Sequence, residues 1–327
     1  MTQTKHNRPA LGIMMVMIGM LAISVNDMLI KLLSGGYPLH QVVFIRSLIG
    51  ISFSLIIVQM EGGFRILRTD RPLLHLLRGL LIVIANLTFF AALASLPLAD
   101  TTAMFFIAPL IITLLSIPML GEPVGPLRIG AVIVGFIGVI IVTQPWAAGG
   151  TRNAAWFVYL MPLIGAVSYA LFQLLTRMLG ASAKASAMAV YIQATFIAVS
   201  VLFWLFAGDG RYVEGVEDES LQFLLRAWIW PDDGDIWLFA IVGLNVAIIG
   251  YTMSQAYRLA DAATIAPYEY VGLPLAIFWG WMIWSELPQS SVMFGIILIL
   301  GSGLFVFLRE RQKKRNLVAA KQANRRY

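Results

Sequence analysis

Apolar runs of about 17 to 23 residues recur from one end of the chain to the other, divided by short polar, glycine-bearing or proline-bearing stretches. Each run is long enough to cross a hydrocarbon core of roughly 30 Å as an α-helix. The alternation of a membrane barrel is missing, and backbone groups in lipid must be satisfied within their own segment, so the pattern predicts helices. About ten spans emerge, near residues 11–33, 40–60, 77–96, 101–119, 127–144, 155–176, 187–207, 236–257, 264–284 and 292–308. The first follows only the short basic MTQTKHNRP and no small-residue cleavage site, so it reads as a retained helix.

The runs repeat their plan. Leu98–Glu122 and Arg258–Glu286 both open on Leu-Ala-Asp, enter an apolar helix with internal proline, close on Glu and lead into another apolar run. Glu122 and Glu286 are 164 positions apart, whereas the first spans of the two halves align at a shift of about 142, so a connection at 208–235 carries an insertion of roughly twenty residues. Within it, Leu221, Leu224, Leu225 and Trp228 share one helical face, which predicts a short helix on the outer membrane surface. Five spans per half is an odd number, so the halves sit upside down relative to each other. The expected fold is an all-α integral membrane protein of about ten transmembrane helices in two inverted five-helix repeats, residues 1–150 and 151–310, with a basic tail at 311–327.

Composition fixes the solvent. Hydrophobic residues make up 59% of the 327 and charged ones 12%, where a soluble domain carries roughly 25%. The net charge of +6 belongs largely to the RERQKKR tail, which suits an anionic membrane face and gives no reason to expect nucleic acid. Arg65, Arg68, Arg71, Arg78 and the tail fall on one side of the expected topology and Arg152, Arg211 and Arg226 on the other, so both termini are expected in the cytoplasm. The chain has no cysteine, which excludes disulfides, thiolate catalysis and cysteine-based metal sites; no metal site or cofactor is expected.

Ionisable residues inside the spans are few and expensive, about 2.5 to 3.5 kcal/mol each at the bilayer centre on insertion scales, so they should face a cavity or one another. Asp27 and Lys31, one turn apart in SVNDMLIKLL, can pair along a helix face. The repeat sets AVSYALFQLL beneath them, matching Tyr169 to Asp27 and Gln173 to Lys31, which keeps polarity and drops charge; the four positions are expected to form a polar cavity wall. Arg46 can snorkel, pair with Asp27, or offer a fixed positive charge to a carboxylate or phosphate. Glu269, flanked by Tyr268 and Tyr270 and placed between Pro267 and Pro274, is the sharpest candidate for binding or proton coupling. Asp100 and Asp261 are expected as helix N-caps, and Glu122 and Glu286 as structural groups bonding neighbouring helix ends. Gly130, Gly135, Gly138, Gly295, Gly301 and Gly303 allow close helix approach and leave room for a homodimer.

The chain resembles the drug/metabolite transporter superfamily in its EamA-type branch of bacterial inner-membrane carriers. The residues that carry the resemblance are LPLADTTAMFFIAPLIITLLSIPMLGEPVGPLRIGAVIVGFIGVIIV and ADAATIAPYEYVGLPLAIFWGWMIWSELP. It implies a central cavity lined by spans 1, 3, 4, 6, 8 and 9, with spans 5 and 10 at the periphery. Phe89, Phe90, Phe105, Phe106, Trp156, Tyr159, Tyr169, Tyr251, Tyr268, Tyr270, Trp279 and Trp281 occur on those spans, and Asn86 and Asn245 add amides. The expected function is secondary transport of a small organic metabolite by alternating access: an amino acid, an S-adenosylmethionine-like or a flavin-like solute. A passive channel or lipid flippase is the alternative. A membrane-embedded enzyme is disfavoured because HExxH and GxSxG are absent and His6, His40 and His75 fall near span ends.

Overall fold

The computed structural model describes residues 9–120, 125–144, 154–179, 184–259 and 268–323. Among them the regular structure is helical: α1 (Pro9–Leu33), α2 (Leu39–Glu61), a 3-10 turn (Phe64–Leu67), α3 (Pro72–Ser95), α4 (Leu98–Phe105), α5 (Ala108–Leu120), α6 (Pro126–Thr143), α7 (Trp156–Leu179), α8 (Ala185–Ala207), α9 (Glu219–Leu225), α10 (Ile236–Leu259), α11 (Gly272–Trp284) and α12 (Ser290–Ala323). Among the described residues, seven helical stretches are long and apolar enough to cross a membrane, and the shorter apolar stretches Ile129–Thr143, Gly272–Trp284 and Ser290–Val306 lie near the remaining expected spans. Proline opens α3 and α6, where its missing N–H has no partner to lose. Leu, Ile and Phe side chains such as Ile133, Phe136, Phe294 and Ile297 stand exposed on outward faces, as a lipid-facing surface requires.

The stretch expected as one span over 101–119 is two helices, broken at Phe106–Ile107. Pro109 has no N–H to give to the Phe105 carbonyl four residues back, which removes the hydrogen bond that would bridge the gap. The second copy breaks in register: Tyr268 and Glu269 are helical, Tyr270 and Val271 turn, and α11 starts at Gly272, with Pro274 unable to donate to the Tyr270 carbonyl. The two breaks meet, the Phe106 and Tyr270 rings lying 5.5 Å apart.

The helices pack in pairs: α1 on α10, α2 on α8, α3 on α7, α4 on α11 and α6 on α12. Asn245 fixes the first, donating to the Ala22 carbonyl at 2.7 Å. Arg78, expected among the loop charges, is instead buried between α3 and α7, where it donates to Thr176 at 2.6 Å and stacks on Phe172. At the end of the bundle where α1, α3 and α11 finish, Lys31 is 2.9 Å from Glu286, donates to the Leu96 carbonyl at 2.9 Å and lies over the Trp284 ring. The expected Asp27–Lys31 pair is therefore not formed; Lys31 bonds across the bundle because Glu286 and an open α3 carbonyl both face it.

The 208–235 connection closes over the same end. Its helix is shorter than expected and differently seated: Asp218 caps α9 by accepting from the Leu221 amide, and Phe223 is fully buried in the core. Gln41 holds Ile229 through both its amide atoms, and the Tyr37 hydroxyl donates to Asp235 at 2.7 Å. Trp228 stacks on His40 and Phe44. Anchored on both sides, this segment closes the bundle end. Asp100 also departs from expectation. It lies inside the first turn of α4, behind Pro97, and its Oδ1 is buried without a partner, so it is not the cap. Asp261, Glu122 and Pro267 lie outside the described residues.

Helices α6 and α12 approach through glycine. A Cβ on Gly138 would sit 2.8 Å from the Gly295 carbonyl, and one on Gly295 would sit 2.7 Å from the Gly138 carbonyl, whereas Gly130 and Gly301 face open space. Gly295→Val is expected to destabilise the protein by roughly 1–3 kcal/mol. Melting in detergent should fall for that variant and stay unchanged for Gly130→Ala and Gly301→Ala; equal melting of all three would contradict the seam.

Candidate functional site

A cavity of about 380 Å³ lies where the two helix breaks meet the middles of the long helices. Its wall takes Ser24, Asn26 and Asp27 from α1, Asn86, Phe89 and Phe90 from α3, Thr102, Phe105, Phe106 and Pro109 from the first break, and Tyr169 from α7. Val246, Ile249 and Met253 of α10 and Glu269 with Gly272 at the second break complete it. Helices α2 and α8 also reach it, through Arg46, Gln193 and Phe196, whereas α6 and α12 contribute no lining residue.

The structure thus gathers Asp27, Arg46, Asn86, Phe105, Tyr169 and Glu269 around one space. Arg46 is 6% exposed, donates to the Asn86 Oδ1 at 3.1 Å, and has its guanidinium carbon 5.6 and 5.4 Å from the Phe90 and Phe196 rings. The rings hold the cation in place through their negative faces. Asp27 accepts from the Asn26 side-chain amide at 3.2 Å. Neither Asp27 nor Arg46 takes part in an ion pair among the described residues. Gln173 donates to the Tyr169 hydroxyl at 2.6 Å, which fixes the ring against Phe105 at 5.4 Å. The Asn26 Oδ1 and the Thr102 hydroxyl are buried there without a protein partner. Hydrogen-bonding capacity left open in a buried wall is capacity for a ligand or water.

Other candidates lie elsewhere. Tyr251 is 56% exposed on the outside of α10, because it sits two residues from both Ile249 and Met253 and so about 200° round the helix from the cavity face. Trp156 and Trp281 are likewise exposed. Tyr268 packs on Val16, Met20 and Ala256, and Tyr270 turns away from the cavity wall to stack on Phe106 beside Gly303. Trp279 donates to the Ser24 hydroxyl at 3.2 Å, tying α11 to α1. Lys31, expected in the polar wall, is held at the bundle end by Glu286.

Gln193 and Phe196 escaped the sequence reading. The signal was available: VFIRSL of α2 sets over VYIQAT of α8 at a shift of 147, which places Gln193 under Arg46. With Tyr169 under Asp27 and Phe105 in register with Glu269, each charged lining residue has a neutral counterpart in the other half.

The family described as EamA-like transporter matches residues 10–144. A riboflavin transporter of Rhizobium johnstonii is 28% identical over 77% of this chain and 76% of its own length. An S-adenosylmethionine uptake transporter of Rickettsia conorii is 25% identical over 92% of this chain and 94% of its own. A solved structure at 19% identity superposes with a TM-score of 0.59, covering 93% of this chain and 97% of that one, which supports a common fold.

Replacing Asn86 by Leu takes away the side-chain acceptor of Arg46. It is expected to lower stability by about 1.5–3 kcal/mol. Tyr251→Phe, on the exposed side of α10, should leave melting unchanged, and a loss as large as that of Asn86→Leu would contradict these placements.

Proposed function

We propose that the chain is an EamA-like transporter of the drug/metabolite transporter superfamily, a secondary carrier of a small organic metabolite in the bacterial inner membrane. The observation that carries the reading is the cavity itself, which gathers two acids and an arginine at the meeting of two broken helices. The helix pairs fit ten spans in two inverted repeats, 1–150 and 151–310. Exchanging the halves turns the α1–α10 contact into the α7–α3 contact and returns α2–α8 and α6–α12 to themselves. The relatives' riboflavin and S-adenosylmethionine mark the size and aromatic character of solute for which such a cavity has room.

With both termini in the cytoplasm, the Lys31–Glu286 end is the outer one. There the ion pair, the Leu96 carbonyl and the Phe223 plug close the path. Opening outward then requires Lys31 to leave Glu286, and the buried, unpartnered Asp100 Oδ1 on α4 is a second carboxylate for it to meet. A carrier of this kind has no need of ATP, and the chain lacks a GxxxxGK[ST] loop, so the driving force is a gradient.

Proteoliposomes incubated with a mixed metabolite pool are expected to accumulate particular solutes with saturation, read by mass spectrometry. Non-saturating flux would favour the channel, and a covalently altered solute would favour an enzyme. Glu269→Gln should remove the pH dependence of that flux; flux and pH profile both unchanged would exclude Glu269 from coupling. Lys31→Glu should abolish outward opening, and Lys31→Glu with Glu286→Lys should restore flux at least in part. Failure of the double exchange when both proteins fold would remove the ion pair from the gate.

A further inference from the structure

The two halves join their second and third long helices differently. Between α2 and α3 the chain uses residues 62–71, whereas between α8 and α10, at the opposite end of the bundle, it uses 208–235. The added length is held unequally along its course.

Residues 228–235 are clamped to α2. Gln41 holds Ile229 through both its amide atoms, and the Tyr37 hydroxyl accepts from the Asp232 amide at 3.0 Å while donating to Asp235 at 2.7 Å. Trp228 packs against His40 and Phe44, and its own amide donates to the Gly208 carbonyl at 3.1 Å. Among the described residues α9 lacks such a clamp. Its bonds run largely within the segment, Asp218 accepting from the Leu221 amide and the Gln222 side chain donating to the Val216 carbonyl at 2.7 Å. Outward it reaches α3 by a contact between the Ser220 and Ser95 hydroxyls at 2.7 Å, and α1 through Arg226, which donates to the Ser34 carbonyl at 3.1 Å. The remaining attachment is Phe223, wholly buried in the same cluster as the cavity residues Phe89 and Phe90. Apolar contact is non-directional, so a short helix held mainly by one ring can leave as a unit where a set of directional bonds cannot.

The chain also has a pivot. Gly210 and Gly215 both take positive φ, but a Cβ on Gly210 would come within 3.0 Å of Ala227, whereas Gly215 faces open space. Rotation at Gly215 displaces no neighbour. Beyond it, α9 begins at Glu219, within electrostatic reach of Lys31, so the helix and the Lys31–Glu286 pair seal one opening.

Resting on the carrier reading, we propose that α9 is a lid over the outer mouth of the cavity, swinging on Gly215 to draw Phe223 from the core while residues 228–235 stay on α2. The short 62–71 connection offers no counterpart at the inner end. Opening outward therefore carries a step that opening inward lacks.

The chain has no cysteine, so introduced thiols report without background. Ser95→Cys with Ser220→Cys sets two sulfurs where hydroxyls now touch, close enough for a disulfide. The reduced double variant in proteoliposomes is expected to carry solute as the unmodified protein does; oxidation should stop the flux, and reduction should restore it. Bridging Gln41→Cys to Ile229→Cys with a short bifunctional thiol reagent should leave flux intact. Full flux through the oxidised Ser95→Cys/Ser220→Cys protein, or failure of that disulfide to form, overturns the lid. A second measurement needs no flux. The Ser220→Cys thiol, at a position with no exposure when the lid is down, should still react with a water-soluble maleimide. Adding Phe223→Ala should speed that reaction by roughly 10- to 100-fold. No labelling in either protein overturns the lid, whereas labelling in a protein without saturable flux would keep the lid and remove the carrier.

Discussion

A charge inside hydrocarbon must find a partner, a wet cavity or the membrane surface, and the arrangement of this protein follows from how each of its few buried charges meets that demand. Lys31 takes a carboxylate, a carbonyl and an aromatic face at once. Arg78 takes a threonine hydroxyl, a helix carbonyl and the face of Phe172. Those two are spent on joining helices. Asp27 and Arg46 are treated differently, each with a single neutral partner beside an open volume, and that difference marks the site more clearly than the number of polar residues does.

The cavity exists because two helices stop in the middle. An unbroken α4–α5 helix would carry its side chains past the centre in regular turns; the proline-assisted breaks at Phe106 and Tyr270 open space there and let Thr102 and Glu269 face it. The two breaks are in contact through their rings, so a shift of one is felt at the other. The peripheral α6–α12 pair does the opposite work, its glycines bringing backbone against backbone with little side chain to adjust.

Much of this was legible in the chain. Period and length gave the helices, internal duplication gave the pairing of the broken segments, and cost in lipid singled out Asp27, Lys31, Arg46 and Glu269, of which all but Lys31 line the cavity. What could not be read was rotation about each helix axis. In apolar runs every face is hydrophobic, so nothing in the sequence tells that Val246, Ile249 and Met253 look inward while Tyr251 looks out. Partner choice was hidden for a related reason: Lys31 has Asp27 one turn away and Glu286 at the far end of the chain, and only the fold decides between them. The buried Phe223 was similarly obscured, since a seven-residue helix presents too few turns for its apolar stripe to be distinguished from a surface one.

The last helix has its own consequence. From Ser290 to Ala323 it is continuous, 34 residues, which at helical rise is about 50 Å, well beyond the roughly 30 Å of hydrocarbon. Its apolar part ends near Val306, and the charged remainder continues the same helix from the glycine seam with α6. A stiff rod amplifies at its tip any tilt at its base, and a fluorophore placed near its free end would act as a pointer, registering small rotations of the bundle as displacements large enough to follow in real time.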